Sequence, residues 1–354
     1  MIMFDALEQY GLLQHILSVD RFGRGVVNRT YLAKSKNETY ILQLINNNIF
    51  KKPENVIKNI ESLVPYFKGK DDFLMTKNLL DSLTGTKHVK AEETYWRMYK
   101  IKPHMKIFKK IVADEMMEEI GKAVGRFQKV LLDFNPKLLV NTIANYHDAP
   151  KLYQQLYKVI NRDYEKAVPL FNETKFLEFQ EAQFTLIPHL LKTKQVPLRV
   201  THNNFRLSNM LFDENTYEVL GVIGLDAIMP GTLITDFGDA ARYFCSTSRE
   251  DETQLEFVHF NLDYYRLFVR GFLKETKDFI TAAEIDNLVN GVKVVTLEHI
   301  IRFLTAHLDP KSVYPKEYKH QHWDRAKNQI QLYHDIDAHV KEMNIIIQEE
   351  RRKL

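Results

Sequence analysis

Side chains able to hold a metal or move a proton crowd into one stretch of the chain, from Val200 to Asp239. It reads His202-Asn203-Asn204-Phe205-Arg206-Leu207-Ser208-Asn209, then Ile223-Gly224-Leu225-Asp226, then Asp236-Phe237-Gly238-Asp239. Phosphoryl transfer needs metal-binding carboxylates, a cradle for phosphates, and a carboxylate that orients the attacking hydroxyl and accepts its proton. A polar loop, a short strand ending at Asp226 and an acidic helix start have the order such a site would use. Each residue also has a plainer reading. Asn and Asp favour turns and strand ends, and His202 reads as a core histidine bonded to the backbone. Only the joint register of Asn204, Asn209, Asp226 and Asp236 argues for a site.

The elements that must position these residues fall into two regions. From about Leu17 to Ile101, short extended runs surround Gly23-Arg24-Gly25, and Thr39 to Ile45 forms another. Val56, Ile60, Leu63 and Val64 follow Pro53 at helical spacing, while Phe73 to Met75 and Thr94 to Ile101 read as strands on either side of Gly85. One helix on a five-stranded antiparallel sheet is expected. Beyond Pro103 the pattern turns to amphipathic helices. Met116, Ile120, Val124, Phe127 and Leu131 share a face, and further runs cover 173–192, 255–273 and 284–308. A hairpin of Leu198 to Val200, Met210 to Phe212 and Leu220 to Ile223 interrupts them. The expectation is an α+β, two-lobed, protein-kinase-like fold: a sheet lobe over 1–102 and a mainly helical lobe over 103–354.

Composition narrows the class. The 354 residues are 45% hydrophobic and 27% charged, as in an ordinary globular protein, and the net charge of +3 is spread along the chain, so no nucleic-acid partner is expected. The single Cys245 excludes an internal disulfide, and neither a signal peptide nor a membrane span is apparent. A cytoplasmic location and no membrane partner are expected. Glu349 to Lys353 reads as a solvated, fraying helix end. Tyr314, Tyr318, His320, His322, Trp323 and Arg325 fit no ordered set of metal ligands and read as surface packing.

The chain resembles the aminoglycoside phosphotransferase and choline kinase superfamily, and within it the bacterial N-acetylhexosamine 1-kinases. The resemblance rests on Gly23 to Tyr31, Tyr40 to Gln43, Asn46, Ile49-Phe50, Trp96 to Lys100, His147 to Pro150, Ile228 to Gly231 and Arg302 to Leu304, together with the stretch above. It implies ATP and Mg2+ as cofactors and a small hydroxylated acceptor such as a sugar. It places the nucleotide against Gly23, Gly25, Asn28, Gln43 and Tyr99, with Glu61 as the partner of Gln43. Asn209, with Asp226 in reserve, would hold the metal, Arg302 the substrate, and Asn204 and Arg206 would lie in the catalytic loop.

The departures from that family are as informative as the matches. Its catalytic-base aspartate corresponds to Asn204, and the first carboxylate of its Ile-Asp-Leu-Asp strand corresponds to Gly224. A carboxamide accepts a hydrogen bond but takes no proton and carries no charge. Losing general-base help alone costs roughly 10²- to 10⁴-fold, and a missing metal carboxylate adds to that. Asp226, two residues on, would share a strand face with position 224 but lie roughly 7 Å along it. Val26, Ala227 and Pro310 to Val313 replace further substrate-side residues. The expectation is a pseudokinase-like nucleotide or small-molecule binding protein with weak or lost phosphotransfer; the alternative is an active ATP- and magnesium-dependent phosphotransferase acting on a sugar or amino-alcohol hydroxyl. Asp236 and Asp239 are expected to be structural, bracing the catalytic loop and the helix start.

Overall fold

Alternating apolar residues build the first sheet between two helices. In the computed structural model, which describes residues 2–22, 29–71, 73–102, 104–312 and 314–354, α1 (Ile2–Gln9) precedes the strands β1 (Ile16–Phe22), β2 (Arg29–Ser35) and β3 (Thr39–Ile45). After α2 (Pro53–Tyr66) come β4 (Val89–Ala91) and β5 (Thr94–Ile101). The five strands are antiparallel in the order β1-β2-β3-β5-β4. Tyr40, Leu42, Trp96 and Met98 bury one face against Ala6 and Leu7 of α1. Ile41, Ile45, Tyr99 and Ile101 point the other way, onto Val56, Ile60 and Leu63 of α2. The expected sheet and helix are therefore present.

The expected strand at Phe73 to Met75 is not. That segment is a turn with Met75 left-handed at φ 55°, because its pairing is spent elsewhere: the Phe73 carbonyl accepts from the Val222 amide at 2.8 Å. The short β4 takes its place in the sheet.

The second lobe adds the short β6 (Met105–Lys106) and the long α3 (Glu115–Val130), then α4 (Ala149–Arg162), α5 (Tyr164–Ala167), α6 (Phe171–Glu178), α7 (Glu181–Phe184) and α8 (Leu186–Lys192). Strands β7 (Arg199–Thr201), β8 (Met210–Asp213), β9 (Val219–Val222) and β10 (Met229–Gly231) follow, and α9 (Leu233–Phe244), α10 (Leu262–Thr276), α11 (Ala282–Asp286), α12 (Leu288–Leu308), α13 (Gln321–Ala338) and α14 (Val340–Arg352) complete the chain. Strands β8 and β9 form the expected hairpin with β6 beside it. β7 instead pairs with β10, which clamps both ends of the 202–228 segment.

Close helix crossings hold the core. A Cβ on Gly271 would lie 1.9 Å from the Glu118 carbonyl, and one on Gly121 would lie 2.1 Å from that of Phe268; α3 and α10 therefore meet backbone to backbone. Gly238 and Gly291 do the same for α9 and α12. The C-terminal helix is anchored, not frayed, because Glu350 is buried among Arg266, Arg270 and Lys353. His322 is likewise buried, not at the surface, and Trp323 donates to Glu173 at 2.8 Å. Among the described residues, no helix is long and apolar enough to cross a membrane.

Candidate active site between the lobes

A cavity of about 610 Å³ opens between the lobes, and most of the sequence-derived candidates line it. Gln43 faces it from β3, Asn204, Arg206 and Asn209 from the loop after β7, Gly224 and Asp226 from the turn after β9, and Arg302 from α12. Tyr99 lies buried below, near the Arg97 guanidinium. Gly23, Gly25 and Asn28, like Val26 and Val313, lie outside the described residues.

The loop is shaped by a buried carboxylate. Asp236, in the first turn of α9, accepts the backbone N–H groups of His202 and Asn203 at 2.8 Å each, and the Gln128 amide at 3.1 Å. Burial pushes its carboxyl up to about 7, against those donors, which favour the ionised form. With Asn203 left-handed at φ 61° and its side chain donating to the Ala227 carbonyl at 2.7 Å, the loop turns sharply. His202 Nε2 donates to the Ile223 carbonyl at 3.0 Å, and burial holds the ring's pKa down at about 4. It is a core histidine.

One turn along α9, Asp239 grips Arg206 through two hydrogen bonds of 2.7 and 3.0 Å and also meets Arg242 at 3.2 Å. Burial alone would raise the Asp239 carboxyl, but the two guanidinium groups outweigh it and hold it far below the usual carboxylate range. Arg206 therefore presents itself to the cavity from a fixed, paired position. Arg302 is held similarly: it donates to the Tyr146 carbonyl and to Glu298, and lies over the Tyr146 ring.

The metal side departs most from expectation. Asp226 is not on the strand, since β9 stops at Val222, Gly224 is left-handed at φ 80° and Leu225–Ala227 form a single 3₁₀ turn. The two-residue strand argument therefore fails. Its Oδ2 instead meets Arg97 at 2.5 Å, with both side chains only 2% exposed. Arg97 stands opposite Gln43 in the β3–β5 register and also donates to the side-chain Oε1 of Gln43 at 3.0 and 2.9 Å. Gln43 in turn donates to Thr30. Glu61 lies 3.9 Å from His88; the expected Gln43–Glu61 contact is replaced because Arg97 offers Gln43 a charged donor directly across the sheet. The sequence contained a signal for Arg97, a charged residue between the apolar Trp96 and Met98, since arginine is rarely buried without a partner.

Position 224 is closed as well. A Cβ there would lie 2.4 Å from Asn209 Oδ1 and 2.5 Å from its Cγ. The Asn209 amide fills the space where a carboxylate would begin, and it donates to the Asn204 carbonyl at 2.9 Å. Mg2+ is usually held by one or two carboxylates together with phosphates and water. Here Asn204, Asn209 and Gly224 carry no charge, and the charge of Asp226 is matched by Arg97. No cluster of three acidic, histidine or cysteine side chains suited to a metal occurs among the described residues. The resident groups do not fit a divalent cation.

A model of the phosphotransferase enzyme family matches residues 18–268. Among solved structures, the chain is similar to a microcompartment-associated aminopropanol kinase, at 13% identity and a TM-score of 0.64, over 97% of this chain and 98% of that one. It is similar to a spectinomycin phosphotransferase in complex with ADP and spectinomycin, at 13% identity and 0.54, over 96% and 98%. An ethanolamine kinase of Plasmodium vivax matches at 12% identity and 0.50, over 90% and 84%. At these identities the likeness is one of fold.

Proposed function

The chain belongs to the phosphotransferase enzyme family, and we propose that it is a pseudokinase-like member that binds a nucleotide and a small hydroxylated molecule between its lobes, divided near residue 102, with phosphotransfer weak or lost. The observation that carries this reading is Gly224, left-handed and backed by the Asn209 amide. It supports a site that lacks the carboxylate for the metal, beside an Asn204 that orients a hydroxyl but takes no proton. The ADP-bound spectinomycin phosphotransferase supports a nucleotide as one ligand. Tyr146, Tyr243 and Phe303, set among the donors of Arg206 and Arg302, suit a hydroxylated ring such as a sugar as the other.

Calorimetry with ADP and with N-acetylhexosamines, beside a phosphotransfer screen over amino sugars, aminoglycosides, choline, ethanolamine and aminopropanol, tests it. Binding of ADP is expected, with sugar binding weakened in Arg302→Ala and no turnover above background. Turnover at ordinary kinase rates of roughly 1–100 s⁻¹, abolished in Asp226→Ala, would establish an active phosphotransferase instead.

A further inference from the structure

We propose that this cavity takes its phosphate-bearing ligand without a divalent cation, and that Arg97 is the residue that removes the need for one. The inference rests on the nucleotide reading above and sharpens it. In a site lined with free carboxylates, phosphates are repelled until a bridging metal arrives. Here both carboxylates that line the cavity among the described residues are paired with guanidinium groups of the chain itself: Glu250 with Arg242, and Asp226 through Oδ2 with Arg97. The Arg97–Asp226 pair is buried, so its attraction is only weakly screened by salt, and Arg stays charged at every pH the fold survives.

The geometry leaves a metal little to gain. Asp226 retains one oxygen, Oδ1, that is buried without a hydrogen-bond partner, but a dication there would sit beside the Arg97 charge. The neighbouring candidate ligand, Asn209, is a neutral carboxamide whose Nδ2 donates to the Asn204 carbonyl, so its Oδ1 would bring a dication no charge to offset that of Arg97. The ligand's own negative charge would be met instead by Lys109 on the cavity wall, beside the Arg206 guanidinium that Asp239 holds in place. Arg97 thus acts as a positioning residue: it fixes and neutralises Asp226, and does not itself line the cavity.

ADP binding to the wild-type protein by calorimetry, in EDTA and in excess Mg2+, is the test, with Mn2+ resonance spectra of the ADP complex as a second readout. The two dissociation constants are expected to agree within about threefold, and the complex should hold Mn2+ no more tightly than free ADP does. Binding seen only with Mg2+ would overturn this inference and leave the nucleotide reading standing; no binding under either condition would overturn the nucleotide reading itself. In Arg97→Leu, checked for folding by its thermal transition, the freed carboxylate should make ADP binding depend on Mg2+ by about tenfold or more. A folded Arg97→Leu still indifferent to Mg2+ would count against the role of Arg97. Should that variant not fold, Asp226→Asn decides: its ratio of affinities should stay near one, and loss of a Mg2+-dependent tightening seen in wild type would mark Asp226 as a metal ligand.

Discussion

His202 shows how much a single buried group can reveal. Its Nε2–H is bonded to Ile223 while Nδ1 is buried without a partner, so a second proton would enter an apolar space. The folded-state pKa of about 4 lies below the ordinary 6.5. Between those values the unfolded chain binds more protons, and stability falls as pH drops through that window, by on the order of 3 kcal/mol. Asp236, raised to about 7, works the other way. The native state binds the extra proton there, so stability falls as pH rises from about 4 to 7. Comparing urea midpoints of wild type and His202→Gln across this range isolates the histidine: the variant should lose less stability in acid. The core role of His202 was legible in the sequence, as were the carboxamides at 204 and 209. The Arg97–Asp226 pair was not, because it joins residues far apart in sequence and depends on Asp226 leaving its strand.

At the scale of elements, apolar periodicity located α3, most of α12 and the central strands. Local pattern could not say that Phe73 to Met75 would give up sheet pairing for a bond to Val222. Nor could it explain Gly238, which looks like part of a metal-binding Asp-Phe-Gly motif but serves the α9–α12 crossing. The α3–α10 crossing offers a clean contest of magnitudes. Gly→Ala inside a helix ordinarily stabilises by roughly 0.5–1 kcal/mol, whereas forcing atoms into a packed contact costs about 1–3 kcal/mol. At Gly271 the clash at 1.9 Å involves backbone, which cannot rotate away. Gly271→Ala should therefore lower the thermal midpoint, and a rise would show that the helices separate freely.

Beside the Phe73–Val222 backbone bond, buried side chains tie the molecule together across the lobes. One such link is Arg97 to Asp226. Another is Asn59 of α2, which donates to the Val140 and Ile228 carbonyls at 2.8 and 2.9 Å and accepts from the Val140 amide at 2.9 Å. Asn59→Ala would leave these backbone groups unpaired at roughly 1–3 kcal/mol each; a fall in the urea midpoint with an unchanged slope is expected, and an unchanged midpoint would show that water replaces the side chain. The contact between Gly224 and Asn209 makes the two positions a coupled pair. A side chain can be added at position 224 only if Asn209 withdraws, and an Asn209 that withdraws abandons its bond to the Asn204 carbonyl. A carboxylate at 224 would therefore need changes at both positions together.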